Sequence, residues 1–139
     1  MYKPQIYVAG RFGDHTIDQE EANRKSARTT ALMLWRIGYK AICPHSMLGL
    51  PTPTEVEEND NLDIEREEVM RACLDVLSTC DCLFLMRNWS RSPGSLREYH
   101  YAQRLGMPIL RDYDEAREYL ERVHHARHRY LPKDTQSDA

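Results

Sequence analysis

Apolar positions in this chain fall into short runs separated by longer amphipathic stretches, and the two alternate along its length. Ile6-Tyr7-Val8-Ala9 is a partly β-branched apolar run closed by Gly10, which predicts a strand. A polar loop from Arg11 to Ile17 follows, and Asp18 with Glu21 three residues on forms a capping box for a helix reaching about Ile37. Ala27, Ala31, Leu34 and Trp35 share one face of that helix, and Gly38 is placed to end it. Ala41-Ile42-Cys43 predicts a second strand, stopped by Pro44, and the chain to Pro53 reads as loop. A helix from about Leu62 to Ser78 presents Val69, Met70, Cys73 and Leu77 as its apolar stripe. Cys82-Leu83-Phe84-Leu85-Met86 is the most strongly apolar run and predicts a central strand buried on both faces. The turn-rich segment Arg87 to Gly94 leads to a helix from Ser95 to about Leu105, ended by Gly106. Met107 to Leu110 predicts a fourth strand, and a charged helix runs from about Tyr113 to Arg129.

This βαβαβαβα order with short connections predicts an α/β fold: a parallel sheet of four to five strands, helices on both faces and right-handed crossovers. Ligands of such sheets sit beyond the carboxyl ends of the strands. Three segments therefore hold the candidate site: Gly10 to Gly13, Pro44 to His45, and Arg87 to Glu98. A length of 139 residues with 41% hydrophobic composition fits a single domain, expected over residues 1–131, with a polar tail at 132–139.

Charge and cysteine usage narrow the function classes. Nineteen Lys+Arg against 22 Asp+Glu give a net charge of −3, which argues against a broad basic face for nucleic acid. No apolar run approaches the roughly 18 to 20 residues of a membrane span, and Met1 leads straight into Tyr-Lys-Pro without a signal-like segment. The expectation is a cytoplasmic protein with reduced cysteines. Cys80-Asp81-Cys82 lacks zinc-site spacing even with Cys43 and His45 as further ligands, so buried small hydrophobes are the plainer reading. His124 and His128 stand four apart on a helix, but Arg122, Arg127 and Arg129 around them favour a solvated face over a cation site. The eight acidic residues between Thr54 and Glu68 read as a solvated helix start.

The loop after the central strand carries the chemistry. Ser92-Pro93-Gly94-Ser95 lies between a buried strand and a helix start, where backbone N–H groups and hydroxyls face any anion held there, though small residues in this place also cap a helix. Glu98, about one turn on, would repel a phosphate. It makes sense as a nucleophile or base beside a phosphorylated sugar, or simply as an acidic residue at a helix start. Trp89 either stacks on a base or shields the loop. Gly10, Arg11, Asn23, Asn88, Trp89, Ser92, Gly94 and Ser95 make up the candidate substrate-binding set.

Taken together, Ile6-Tyr7-Val8-Ala9-Gly10, Cys80-Asp81 and Trp89 through Glu98 resemble the nucleoside 2-deoxyribosyltransferase superfamily. That group includes the 2′-deoxynucleoside 5′-monophosphate N-hydrolases and small phage and bacterial relatives, some of which share the Cys-Pro-His seen here at Cys43 to His45. The likeness spans about residues 5 to 110. It implies a flavodoxin-like, Rossmann-like sheet and a retaining displacement at the anomeric carbon of a (deoxy)nucleotide or nucleoside. Glu98 would be the nucleophile, Tyr7 its orienting partner, and Gly10 the point of close backbone approach. Transferases on free nucleosides tend to carry Asp six residues before the nucleophile, and monophosphate hydrolases Ser. The residue here is Ser92, which favours a 5′-phosphate.

The Asp that assists leaving-group protonation in the family falls at Cys73 in this chain, on the apolar stripe, which leaves His45 as the candidate substitute acid. The resemblance implies no cofactor or metal, a small-molecule nucleotide or nucleoside as partner, no nucleic acid or membrane, and a homodimer or larger homo-oligomer. A non-catalytic nucleotide-binding or sensing module is the alternative, since binding needs the loop but not an acid at position 73.

Overall fold

A computed structural model describes residues 2–11, 17–44 and 64–130. Four strands form one sheet: β1 (Gln5–Ala9), β2 (Lys40–Ile42), β3 (Cys82–Leu85) and β4 (Ile109–Leu110). Every pairing is parallel, in the order β2-β1-β3-β4. Among the described residues the helices are α1 (Ile17–Ile37), α2 (Arg66–Ser78), α3 (Pro93–Arg104) and α4 (Tyr113–Tyr130), with one 3-10 turn at Trp89–Arg91. The expected α/β fold of flavodoxin-like type is what the chain adopts.

Strand side chains alternate between faces, and the two cores sort accordingly. Ile6 and Val8 of β1 and Cys82 and Phe84 of β3 join Ala31 and Leu34 of α1 and Ala116 and Leu120 of α4. Tyr7 and Ala9 with Leu83 and Leu85 join Cys73 and Leu77 of α2 and Ala102 of α3. So α1 and α4 cover one face of the sheet, and α2 and α3 the other. The chain winds outward from β1 to β2, then crosses back to β3. The strand order therefore reverses between β1 and β3, the point beyond whose carboxyl ends sheets of this kind place their ligand crevice.

Several elements differ in detail from the sequence pattern. Helix α1 has begun by Ile17, which puts Asp18 inside the first turn, where its charge meets the positive helix end. Ala27, Ala31 and Leu34 are buried as expected, but Trp35 is 41% exposed with the Lys3 ammonium 5.6 Å from its ring. The inward face of α1 instead takes in Glu20, Asn23 and Thr30. Gly38 ends the helix at φ 133°, a conformation that favours glycine. Helix α2 starts at Arg66, about one turn later than the apolar spacing suggests, with Glu67 and Glu68 in its first turn. Helix α3 starts at Pro93, two residues early, because Ser92 caps it and proline suits the first helical position.

The Asp81 carboxylate accepts from the Gln5 backbone N–H at 2.7 Å and the Tyr2 hydroxyl at 3.2 Å. The aspartate before the central strand thus fixes the start of β1 against β3, and with it the register that brings Tyr7 beside Leu83.

Candidate functional site

The crevice between β1 and β3 is braced from both sides. The Met86 N–H donates to the Ala9 carbonyl at 2.8 Å, extending the β1–β3 ladder past the strand ends. The Ser95 hydroxyl donates to the Gly10 carbonyl at 2.7 Å, which ties the start of α3 to the end of β1. The Arg11 N–H donates to Asn88 Oδ1 at 3.2 Å, which joins the two diverging loops. At Gly10 a Cβ would lie 2.6 Å from Met86 Sδ and 3.2 Å from Met86 Cβ, so any side chain there would have to displace Met86. No left-handed backbone is involved.

Beneath this brace the Tyr7 hydroxyl donates to Glu98 Oε2 across 91 positions of sequence. Tyr7 is 1% exposed and Glu98 7%. Two features of the sequence bring them together. Tyr7 is the β1 residue of the α2/α3 face nearest the carboxyl end apart from Ala9. Glu98 is one turn beyond Ser95 and one turn before Ala102, the other buried positions of α3, so its side chain is carried onto the sheet. Removal from water pushes the Glu98 carboxyl up to about 8, against the opposing pull of the Tyr7 hydrogen bond. Burial first, then the Glu98 charge, raises Tyr7 well above its ordinary range. Both shifts favour the protonated form of each group.

The anion loop is at once a cap and a cradle. Ser92 Oγ accepts from the Ser95 N–H at 3.2 Å, so the capping role is realised, while the hydroxyl keeps its own proton to donate. Gly94 sits in the first turn of α3, where glycine costs helix stability. A Cβ there would meet Met70 Sδ at 3.6 Å and Ser92 Oγ at 3.8 Å, which are ordinary contacts. Packing does not explain glycine at 94, unlike at 10. Arg97 does not face the loop as a free cation. It forms a fork with Glu67 on α2, at 2.6 and 2.9 Å, an exposed pair between the starts of two helices.

The remaining candidates divide. Asn23 is buried on α1 and accepts from Gln19 Nε2 at 3.1 Å. Trp89 leans on Tyr99, with ring centroids 4.8 Å apart, and the Arg111 guanidinium lies 5.9 Å from both rings. Its indole is thus partly committed to the edge of the sheet, as a shield for the loop would be. His45 lies outside the described residues, and so does most of the acidic segment before α2, up to Asp63.

The residue pattern missed two groups. Cys73, 4% exposed on α2, shares a buried cluster with Tyr7. Its place on the apolar stripe announced that it faces the sheet, but not that it joins Tyr7. Glu20 is 4% exposed on the inward face of α1, three residues before Asn23, a spacing that could have flagged it. Among the described residues no group of three or more His, Cys, Asp or Glu side chains is arranged to hold a metal ion. No described helix is long and apolar enough to cross a membrane.

The sequence model of a domain family of unknown function, DUF4406, matches residues 4–111, and the chain belongs to that family. The matched stretch takes in all four strands and both members of the Tyr7–Glu98 pair, and ends before α4. A search of curated proteins found none that matches.

Proposed function

We propose that this DUF4406 chain cleaves the N-glycosidic bond of (deoxy)nucleoside 5′-monophosphates or nucleosides by a retaining displacement through a glycosyl-enzyme on Glu98. The observation that carries the reading is the buried Tyr7–Glu98 pair in the crevice where the strand order reverses. A carboxylate stripped of water is a strong nucleophile and a strong stabiliser of positive charge. The transition state at an anomeric carbon has oxocarbenium character, so charge develops where Glu98 can meet it. That charge favours the ionised carboxylate and so opposes the effect of burial on Glu98.

In the first step a Glu98 oxygen bonds to C1′ as the C1′–N bond breaks. The bonding pair passes to the base nitrogen, which takes up a proton. Tyr7 holds Oε2, leaving Oε1 to attack. Water, or a second base, then attacks C1′ from the opposite face and releases Glu98 as carboxylate, giving hydrolysis or transfer. Ser92 and the Gly94 turn receive the 5′-phosphate, with Arg11, Asn23 and Asn88 lining the crevice and Trp89 and Ser95 holding the loop. Cys73 keeps its proton at neutral pH, pushed up to about 12 mainly by burial, and is no acid for the leaving base. That role falls to His45. The reaction needs no cofactor, and a second copy of the chain completes the assembly.

One observation favours a second reading, a nucleotide-binding or sensing module. Burial raises the Glu98 carboxyl to about 8 and position 73 lacks a carboxylic acid, so the site could hold a ligand without cleaving it. Incubation of the wild type and Glu98→Ala with ribo- and deoxyribonucleoside monophosphates and the matching nucleosides separates the two. Free base released by the wild type alone supports cleavage. No release from any member, with or without an acceptor base, supports the binding module.

A further inference from the structure

Among the described residues, two side-chain hydrogen bonds join β1 and the glycine that closes it to α3, and they run in opposite chain order. Tyr7 donates to Glu98; three residues later on the first element and three earlier on the second, the Gly10 carbonyl accepts from the Ser95 hydroxyl at 2.7 Å. Ser95 is 1% exposed, and Gly10 is buried with it. Both donors that Ser95 owns are spent inside the protein: the hydroxyl on Gly10, and the backbone N–H on Ser92 Oγ at 3.2 Å. What remains is the lone pairs of a buried oxygen, which repel an anion. Ser95 thus stands in the loop proposed to receive the phosphate with nothing left to donate to it. Its hydroxyl serves the frame instead. A single hydrogen bond is a hinge, and Glu98 held by Tyr7 alone would swing about it. A second link one turn away on the same buried stripe of α3 removes that freedom. Reacting groups have to be held within about 0.5 Å of their productive place.

We propose that Ser95 is a positioning residue: its hydrogen bond to the Gly10 carbonyl pins the first turn of α3 to the end of β1 and so fixes the Glu98 carboxyl for attack. It acts through the helix and makes no bond to the substrate. The catalytic consequence rests on the proposed role of Glu98; the pin itself does not. The N–H that Ser92 Oγ accepts belongs to the backbone and survives replacement of the side chain, so the pin can be removed while the cap of the anion loop stays.

The test is Ser95→Ala, assayed on nucleoside monophosphates and the matching nucleosides. With the nucleophile loosened, kcat falls about 10-fold for both classes while KM changes by less than about two-fold. A raised KM for monophosphates alone would make Ser95 a phosphate ligand and overturn the inference, and so would an unchanged kcat. Tyr39→Phe is the control for lost stability: it deletes a buried hydrogen bond to the Ala116 carbonyl, 2.6 Å long, on the other face of the sheet, and leaves kcat unchanged. An equal loss of kcat in Tyr39→Phe would reduce the effect to general loosening and overturn the inference. Amide hydrogen exchange reads the pin without turnover. In Ser95→Ala the amides from Leu96 to Tyr99 exchange about 10-fold faster, while those of α4 keep their wild-type rates. Faster exchange on α3 in a protein that releases no base supports the pin and overturns the glycosidase reading. Base release alongside unchanged exchange leaves the glycosidase reading standing and overturns the pin.

Discussion

Replacing Glu98 by Gln changes one oxygen for an amide nitrogen and keeps an acceptor for the Tyr7 hydroxyl. It removes the titration altogether. In the folded chain Glu98 gives up its proton at about 8, against 4.5 when solvated. A group whose folded pKa is raised contributes stability that is fully present below its unfolded pKa, here about 4.5, and lost as pH rises through the folded value. Between these limits the wild type loses about 1.4 kcal/mol per pH unit through this group, or roughly 4 kcal/mol from pH 5 to pH 8. Glu98→Gln loses none of it. For a chain of this length 1 kcal/mol corresponds to about 4 °C in Tm, so the Tm difference between the two proteins changes by about 15 °C in favour of Gln over that range. Thermal and urea melts of both at pH 5, 6.5 and 8 measure this, and the histidines common to both cancel in the difference. Parallel curves would show that Glu98 is ionised at neutral pH and would refute the buried, protonated pair.

Two other outcomes follow from the same geometry. Tyr7→Phe deletes the hydrogen bond that opposes the burial effect on Glu98, so the rising limb of kcat/KM against pH, with its midpoint near 8 in the wild type, moves to higher pH, and activity at pH 7 falls about 10- to 100-fold. Gly94→Ala leaves stability unchanged or raises it by up to about 1 kcal/mol, because the Cβ fits and alanine favours helix. It raises KM for nucleoside monophosphates and not for nucleosides, which steady-state kinetics on matched pairs resolves.

The sheet could be read from the sequence because burial on both faces leaves runs that nothing else produces. Cys82 to Leu85 is apolar throughout, and the alternation of Ile6 and Val8 against Tyr7 and Ala9 separates the two cores. The Tyr7–Glu98 pair was legible only through resemblance, since periodicity says which face a residue takes and not which neighbour it meets. Trp35 shows the limit from the other side. It lies one position from Leu34, 100° around α1, and the sheet covers Leu34 while Trp35 rests under Lys3. Glu20 was harder to read, because an acidic residue early in a helix is ordinarily solvated, and here it is buried on the same face of α1 as Asn23. Helix α3 starts at Pro93 rather than Ser95 because capping by Ser92, a local hydrogen bond, outweighs the turn signal of Pro-Gly.

The central claim is that Glu98 forms a bond to C1′. A nucleoside monophosphate with fluorine at C2′ in the arabino configuration destabilises the oxocarbenium-like transition states and slows the second step, so that a covalent intermediate accumulates. Intact-mass spectrometry after incubation, followed by peptide mapping, reads the result directly. The account predicts one fluoropentosyl phosphate added per chain, located on Glu98 and absent from Glu98→Gln. An unmodified chain that nonetheless releases base, or a label on any other residue, would contradict it.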